Sequence, residues 1–296
     1  MKYTSILTLL LLGIALVSCS SDDEQQQNTD GRKLRQLTIA EVPVTRATLS
    51  DSGSTLGASW ESGDLATYFN VSTFRPNVMH SGVLTASASA STSAFTGTVY
   101  CTTHDMVALF YPHQDVPIQD PNRGKFTVNL AGQDGTLATI AKNFHYVYGV
   151  AEVTSVTENT ANATISNMKS LLAVAKFTFT DGTNPIPVKT LTINYGDENV
   201  NYGDENVGYP PTATVTPSAD VSNVSPVPVG SEEWNPLTVT LTSETTDGVY
   251  VALLPISKFD FHFTVTNSSG TYTGTAKATL KEGKYYPVEL KLTSNN

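Results

Sequence analysis

Between residues 259 and 265 the chain sets an aromatic or branched residue at every second position. Phe259, Phe261, Phe263 and Val265 alternate with Asp260, His262 and Thr264. Successive side chains of a β-strand point to opposite faces, so this spacing reads as a half-buried strand and not as a helix. The same period recurs along the chain. Phe126, Val128 and Leu130 alternate with Thr127 and Asn129, and Ala173, Ala175, Phe177 and Phe179 alternate with Val174, Lys176 and Thr178. At the C-terminal end Tyr286, Val288, Leu290 and Leu292 alternate with Glu289 and Lys291. YVALLP, 250–255, is nearly continuously apolar and suits a strand covered on both faces. Only LATIAKNF, 137–144, offers a short helix. The expectation is an all-β chain of two antiparallel β-sandwich domains, 37–165 and 166–296, with SLLAVAKFTF (170–179) as the first apolar strand of the second.

What precedes the strands is of another kind. Lys2 is followed by an apolar run from Ile6 to Val17, shorter than the roughly 20 residues a membrane span needs and suited to a signal peptide over 1–18. The run ends at Leu16-Val17-Ser18-Cys19, a bacterial lipobox pattern in which the cysteine takes the lipid and becomes the new N-terminus. A multiply acylated Cys19 would hold the chain on a membrane without a transmembrane helix. Residues 19–36 are polar and charged with almost nothing apolar, the composition of a flexible tether. LTIAEVPVT, 37–45, then reads as a strand with Ala40, Val42 and Val44 on one face. Pro43 cannot donate to a ladder, which places that strand at a sheet edge.

The chemistry-bearing patterns are sparse. The net charge of −10 argues against nucleic acid as a partner, since a polyanion needs a basic face. Cys101 is the one cysteine besides Cys19; no internal disulfide is expected, and Cys101 reads as a buried small apolar residue. The five histidines (80, 104, 113, 145 and 262) include no pair at metal-ligand spacing. There is no nucleophile elbow, zinc-protease motif or phosphate loop, and Ser166-x-x-Lys169 lacks the partner motifs of a serine–lysine hydrolase. No catalytic residue, metal or cofactor is implied. The tandem NYGDENV at 194–200 and 201–207 has acids but not the order of a calcium loop, and reads as a duplication in a surface loop.

Several pieces share an order along the chain. They are the lipobox at Cys19, Val44-Thr45-Arg46-Ala47, Trp60-Glu61-Ser62-Gly63-Asp64, and Ala108-Leu109-Phe110-Tyr111-Pro112. Gln133-Asp134-Gly135, Tyr148-Gly149-Val150-Ala151, Leu172-Ala173-Val174-Ala175-Lys176-Phe177, Leu253-Leu254-Pro255 and Gly283-Lys284-Tyr285-Tyr286-Pro287-Val288 follow. In this order the chain resembles the fimbrillin-like surface lipoproteins of Bacteroidetes, subunits of the type V pilus. The resemblance implies two transthyretin-like β-sandwiches, and Ser20-Ser21-Asp22-Asp23-Glu24 resembles the surface-export signal of such lipoproteins, or serves as an acidic tether.

The resemblance further implies a lipidated precursor on the outer membrane, cut by an arginine-specific protease. By position the cut follows Arg46 and leaves Ala47 as the new N-terminus; Arg32 and Arg35 also precede the fold. Loss of the strand before Arg46 would open a groove for a donor strand from the next subunit, giving a head-to-tail filament. The C-terminal residues Tyr286, Val288, Leu290 and Leu292 form the expected donor. Five basic and five acidic residues leave together with that segment, so the mature subunit keeps its charge. The competing expectation is a lipoprotein that never polymerises and binds a glycan or a host protein through an exposed aromatic platform near Trp60 or Trp234.

Overall fold

The alternating runs become strands, and in Phe126–Leu130, Ala173–Phe179 and Phe259–Val265 the alternating apolar members are buried. The computed structural model describes residues 31–43, 48–73, 81–115, 124–195, 208–230 and 235–295. The first strands are β1 (Lys33–Pro43), β2 (Thr48–Asp51), β3 (Leu56–Ser59), β4 (Leu65–Asn70), β5 (Ser81–Ala86), β6 (Thr92–Cys101) and β7 (Met106–Tyr111). There follow β8 (Phe126–Asn129), β9 (Val147–Val156), β10 (Thr160–Ser170), β11 (Ala173–Thr180), β12 (Val188–Tyr195), β13 (Thr212–Val215) and β14 (Val227–Pro228). The last are β15 (Leu237–Thr245), β16 (Val249–Leu253), β17 (Ile256–Asn267), β18 (Gly270–Leu280), β19 (Tyr285–Lys291) and β20 (Thr293–Ser294). The expected helix is one α-turn, Leu137–Thr139, that runs into a π-turn, Ile140–Phe144. Thr136 caps it by accepting from the Thr139 amide at 3.2 Å.

The N-terminal strands close on themselves in the order β1-β10-β9-β7-β4-β5-β6. The C-terminal strands make a three-stranded sheet, β16-β11-β19, and a five-stranded sheet, β15-β12-β17-β18-β20. A third small sheet, β14-β13-β8, pairs a strand from each half, and β2 and β3 form a separate hairpin. Position 165 falls inside β10, and β11 opens the C-terminal sheets at Ala173. Arg32–Asn296 forms a single compact unit.

Two apolar cores follow from the alternation. β7 sends Val107, Leu109 and Tyr111 into the barrel with Leu37, Ile39, Trp60 and Phe95. Its other face, Ala108 and Phe110, joins a larger core that continues through Phe126 and Tyr148 to Phe177, Phe261 and Phe263. Being covered on both faces is why Met106–Tyr111 and Tyr250–Leu253 are nearly continuous apolar runs. The buried Gln133 clips one edge of the three-stranded sheet. Its amide nitrogen donates to Leu130 O (3.0 Å) and Ala252 O (3.1 Å), and its amide oxygen accepts from the Ala252 amide (2.7 Å). The opposite edge is β19.

The first strand departs from its sequence reading. It begins at Lys33, so Lys33–Gln36, polar enough to pass for tether, are strand residues. It is not an edge strand either. It runs antiparallel to β6 and parallel to β10, completing the ring between them. Pro43 is tolerated because it is the last residue of the strand, where no further ladder bond is needed. The buried residues are Leu37, Ile39 and Val42, with Ala40 exposed. A bulge between Ile39 and Val42, with Glu41 at φ 50°, shifts the inward face by one residue.

Candidate functional site: the first and last strands

The site expected from sequence joins two strands far apart in the chain. β1 is held in the barrel by three kinds of contact. Its inward side chains Leu37, Ile39 and Val42 are fully buried. Burying side chains of that size stabilises by roughly 1.5–3 kcal/mol each, or about 5–9 kcal/mol together. Its backbone is registered along β6 from Lys33↔Cys101 to Pro43↔Thr92, and along β10 from Gln36↔Thr160 to Ile39↔Ala163. Without β1, both neighbours would present unpaired backbone groups beside an apolar slot.

The third contact is ionic. Arg32 grips Asp105 with two prongs, Nε to Oδ2 at 2.8 Å and Nη2 to Oδ1 at 2.5 Å. The Asp105 carboxylate is only 2% exposed and also accepts from Asn70 Nδ2 (2.9 Å) and the Thr102 amide (3.0 Å). Arg35 is 6% exposed; its Nε donates to Thr157 O at 2.8 Å and its Nη1 to Cys101 O. Two of the three arginines that could have been the cut are therefore engaged and shielded. Arg46 and Ala47 lie outside the described residues, as do Cys19, Trp234 and residues 196–207 of the NYGDENV repeat, whose first two residues, Asn194 and Tyr195, end β12.

β19 is held more loosely. Among the described residues it pairs with a single strand, running parallel to β11 from Val174↔Tyr285 to Thr180↔Lys291, and forms the end of its sheet. Its ends are tied by Val174 N to Lys284 O (3.0 Å) and Leu292 N to Thr180 O (2.8 Å). Of the four expected donor residues only Leu292 is fully buried, while Tyr286, Val288 and Leu290 remain partly exposed. These three line an apolar cleft of about 80 Å³, with Phe177, Phe261 and Ala276 among the facing residues. The inner face of β19 is thus under-packed.

A carboxylate that sequence reasoning passed over ties the two ends together. Asp51, at the end of β2, accepts through Oδ2 from Tyr250 OH (2.7 Å), Tyr285 OH (3.0 Å) and Lys176 Nζ (3.1 Å). Its Oδ1 accepts from the Gly53 amide at 2.7 Å. These donors, the Tyr250 hydroxyl first, hold Asp51 far below the usual carboxylate range. Burial and the neighbouring Asp51 push the Tyr285 hydroxyl up. Nothing in the local sequence marks Asp51, because its partners come from β11, β16 and β19.

The remaining candidates have structural surroundings. Cys101 is fully buried and burial pushes its thiol up to about 11, which matches the expected small apolar residue. Lys169 of the Ser166-x-x-Lys169 pattern donates to Val224 O (2.6 Å) and pairs with Glu282 (2.7 Å). Trp60 is no exposed platform: it is 1% exposed, packs edge-on against Phe95 and Tyr111, and donates its indole N–H to Val42 O of β1 (3.1 Å). Among the described residues no group of three or more His, Cys, Asp or Glu could hold a metal, and no helix is long and apolar enough to cross a membrane.

No protein-family model matches the chain, and no curated protein does. Solved structures do. A "putative cell adhesion protein" from Bacteroides uniformis is 16% identical, with 89% of this chain and 93% of that one covered and a TM-score of 0.54. Another so described, from Bacteroides ovatus, is 13% identical, with 90% and 97% covered and a TM-score of 0.56. At such identities the likeness is one of fold: this chain shares its all-β architecture, over nearly its whole length, with these two proteins.

Proposed function

We propose that the protein is a structural subunit of a surface pilus that serves adhesion. In this reading it is exported as a lipoprotein on Cys19, reaches the outer face of the outer membrane, and is cut after Arg46. Removal of β1 then lets it polymerise head to tail with other pilin subunits by donor-strand exchange, leaving the fimbrium as its final location. The observation that carries this reading is the contrast between its end strands. β1 is an interior strand whose loss would leave a preformed slot, and β19 is a one-neighbour edge strand with an under-packed apolar face. The strict period of Val288, Leu290 and Leu292 matches the inward spacing of Arg35, Leu37 and Ile39, the straight part of β1 before its bulge.

The ion pairs add to it. A protease that reads arginine must take the side chain into its own pocket. Arg32 and Arg35 are withheld by Asp105, Thr157 and Cys101, which favours Arg46 as the cut. The likeness in fold to proteins described as cell adhesion proteins agrees with a role at the cell surface. The burial of Trp60 removes one of the two aromatic platforms on which the binding-lipoprotein reading relied.

The test is treatment of the purified precursor with an arginine-specific protease, followed by N-terminal mass measurement and electron microscopy. The expected product starts at Ala47 and forms filaments, and a Leu290→Asp chain is cut at the same bond but stays monomeric. Filaments formed by the uncut precursor, or by cut Leu290→Asp to the normal extent, would overturn the reading.

A further inference from the structure

We propose that the slot left by β1 takes the C-terminal strand of a second copy in one register, with Tyr286, Val288, Leu290 and Leu292 in the places of Arg35, Leu37, Ile39 and Val42. The proposal rests on the donor-strand reading above and deepens it by naming which donor residue fills which place.

A shared two-residue period allows several registers, and the bulge of β1 selects among them. Along β6, Leu37 faces Gly97, Ile39 faces Phe95 and Val42 faces Ser93. Those partners are two residues apart, as in a regular ladder, but Ile39 and Val42 are three apart. β1 therefore reaches the Ser93 place only by crowding Ala40 and Glu41 into the room of one residue, with Glu41 at φ 50°. A side chain with a Cβ rarely adopts that conformation and is strained in it. The slot itself is spaced for a straight strand. β19 is one: it runs along β11 from Tyr285 to Lys291 without a register shift. Laid in the direction of β1, Val288, Leu290 and Leu292 fill the three apolar places with no bulge. Leu292 O then replaces Val42 O as the acceptor of the Trp60 indole.

The polar places agree. Arg35 is buried and donates to Thr157 O and Cys101 O, and Tyr286 brings a hydroxyl donor into that place. Lys284 stands where Lys33 pairs with Glu158, and Tyr285 replaces the exposed Leu34. In the register that puts Val288 in the Arg35 place, the two carbonyls meet no donor and Ser294 falls to the Val42 place. In the one that puts Lys284 there, Tyr286 is forced into the closed Leu37 place between Gly97 and Ala161, and Glu282 stands beside Glu158. Two contacts of β1 have no counterpart in the donor. Pro287 cannot donate to Asn159 O as the Gln36 amide does, and Gly283 stands in place of Arg32, the partner of Asp105. Both lie at the start of the strand, before its apolar places.

The test is cysteine cross-linking between chains of the cut protein. Thr96 faces Thr38, and the Gln36 amide two residues earlier points to β10, so Thr38 and Thr96 form the closer, non-hydrogen-bonded kind of pair. Thr96→Cys is combined with Pro287→Cys, Glu289→Cys or Lys291→Cys in a Cys101→Ala background, so that the cut chain carries no other thiol. The expected result is a chain-to-chain disulfide with Glu289→Cys, whose Cβ comes to about 5 Å, and about a tenth as much or less with the other two, roughly 7 Å away. A dominant cross-link at 287 or 291 would overturn the register and leave donor-strand exchange standing. Filaments that cross-link at none of the three would overturn the register and β19 as the donor. A cut chain that forms no filaments would overturn the exchange reading and this proposal with it. A second measurement needs no cut. Removing Glu41 from the precursor straightens β1 and should leave its urea midpoint unchanged or raised. A lowered midpoint would mean that the slot requires the bulge, and would overturn the register.

Discussion

Leu34 and Leu37 lie three residues apart on β1, and they offer a controlled test of whether this strand belongs to the folded barrel. Leu37 is fully buried in the barrel core, whereas Leu34 is 51% exposed. Truncation to alanine removes the same atoms at both sites. At Leu37 it takes away buried methyl groups and leaves a cavity bounded by β6 and β10, where Leu37 faces Gly97 and Ala161. Buried Leu→Ala changes cost about 2–5 kcal/mol depending on how far the site collapses. Its neighbours are side chains of the barrel core inside a closed ring of strands, which collapses little, so a cost of ~3 kcal/mol is expected. At Leu34 most of the side chain already meets water, and the cost should stay within about 0.5 kcal/mol. The assay is urea unfolding of the two variants beside the precursor, read as the shift of the midpoint at constant slope. Equal costs at both positions, or a Leu37→Ala cost below about 1 kcal/mol, would refute the placement of β1 as an interior strand. The slot proposed for a donor would then not exist.

Asp105→Ala should destabilise the precursor by ~3 kcal/mol, since it removes the buried carboxylate that pairs with Arg32 and is one of the two acceptors of Asn70 Nδ2, and it should open a second cut with a product starting at Lys33. Thermal unfolding and N-terminal mass after protease treatment check the two halves. The Cys101 thiol, buried and raised to about 11, should resist a thiol reagent at pH 8 in the folded protein and react fully once the chain is unfolded in urea. Asp51 titrates below its unfolded value, so the stability it contributes is fully present above pH ~4 and is lost as pH falls from there toward its folded pKa. Acid unfolding followed by circular dichroism should therefore show Asp51→Asn losing less stability than wild type between pH 4 and pH 2, each compared with its own value at pH 7.

Strand content was readable because alternation is local. A side chain at every second position decides which face is buried whatever the strand's neighbours are, and Phe259–Val265 and Phe126–Leu130 behave as that rule requires. The short helix at 137–144 was legible for the same reason. The first strand shows the limit. Lys33–Gln36 look like tether because Lys33 and Arg35 are charged, yet Arg35 is buried where the carbonyls of Cys101 and Thr157 receive it. The inward set was displaced because a bulge at Glu41 changes the phase of the alternation, and no residue type announces a bulge.

The sequence alone thus determined the all-β character, most of the inward faces and the apolar alternation of the last strand. Each of these depends on neighbours within a few residues along the chain. Tertiary structure alone decided that β1 is flanked on both sides, that β19 is flanked on one, that Trp60 is sealed into the barrel, and that Asp51 meets Tyr285. Pairing order and the convergence of polar groups depend on contacts between segments up to 234 residues apart. Such contacts are set by how whole sheets close and pack, and a carboxylate surrounded in sequence by serine, glycine and threonine carries no local trace of the tyrosines and lysine that will surround it in space.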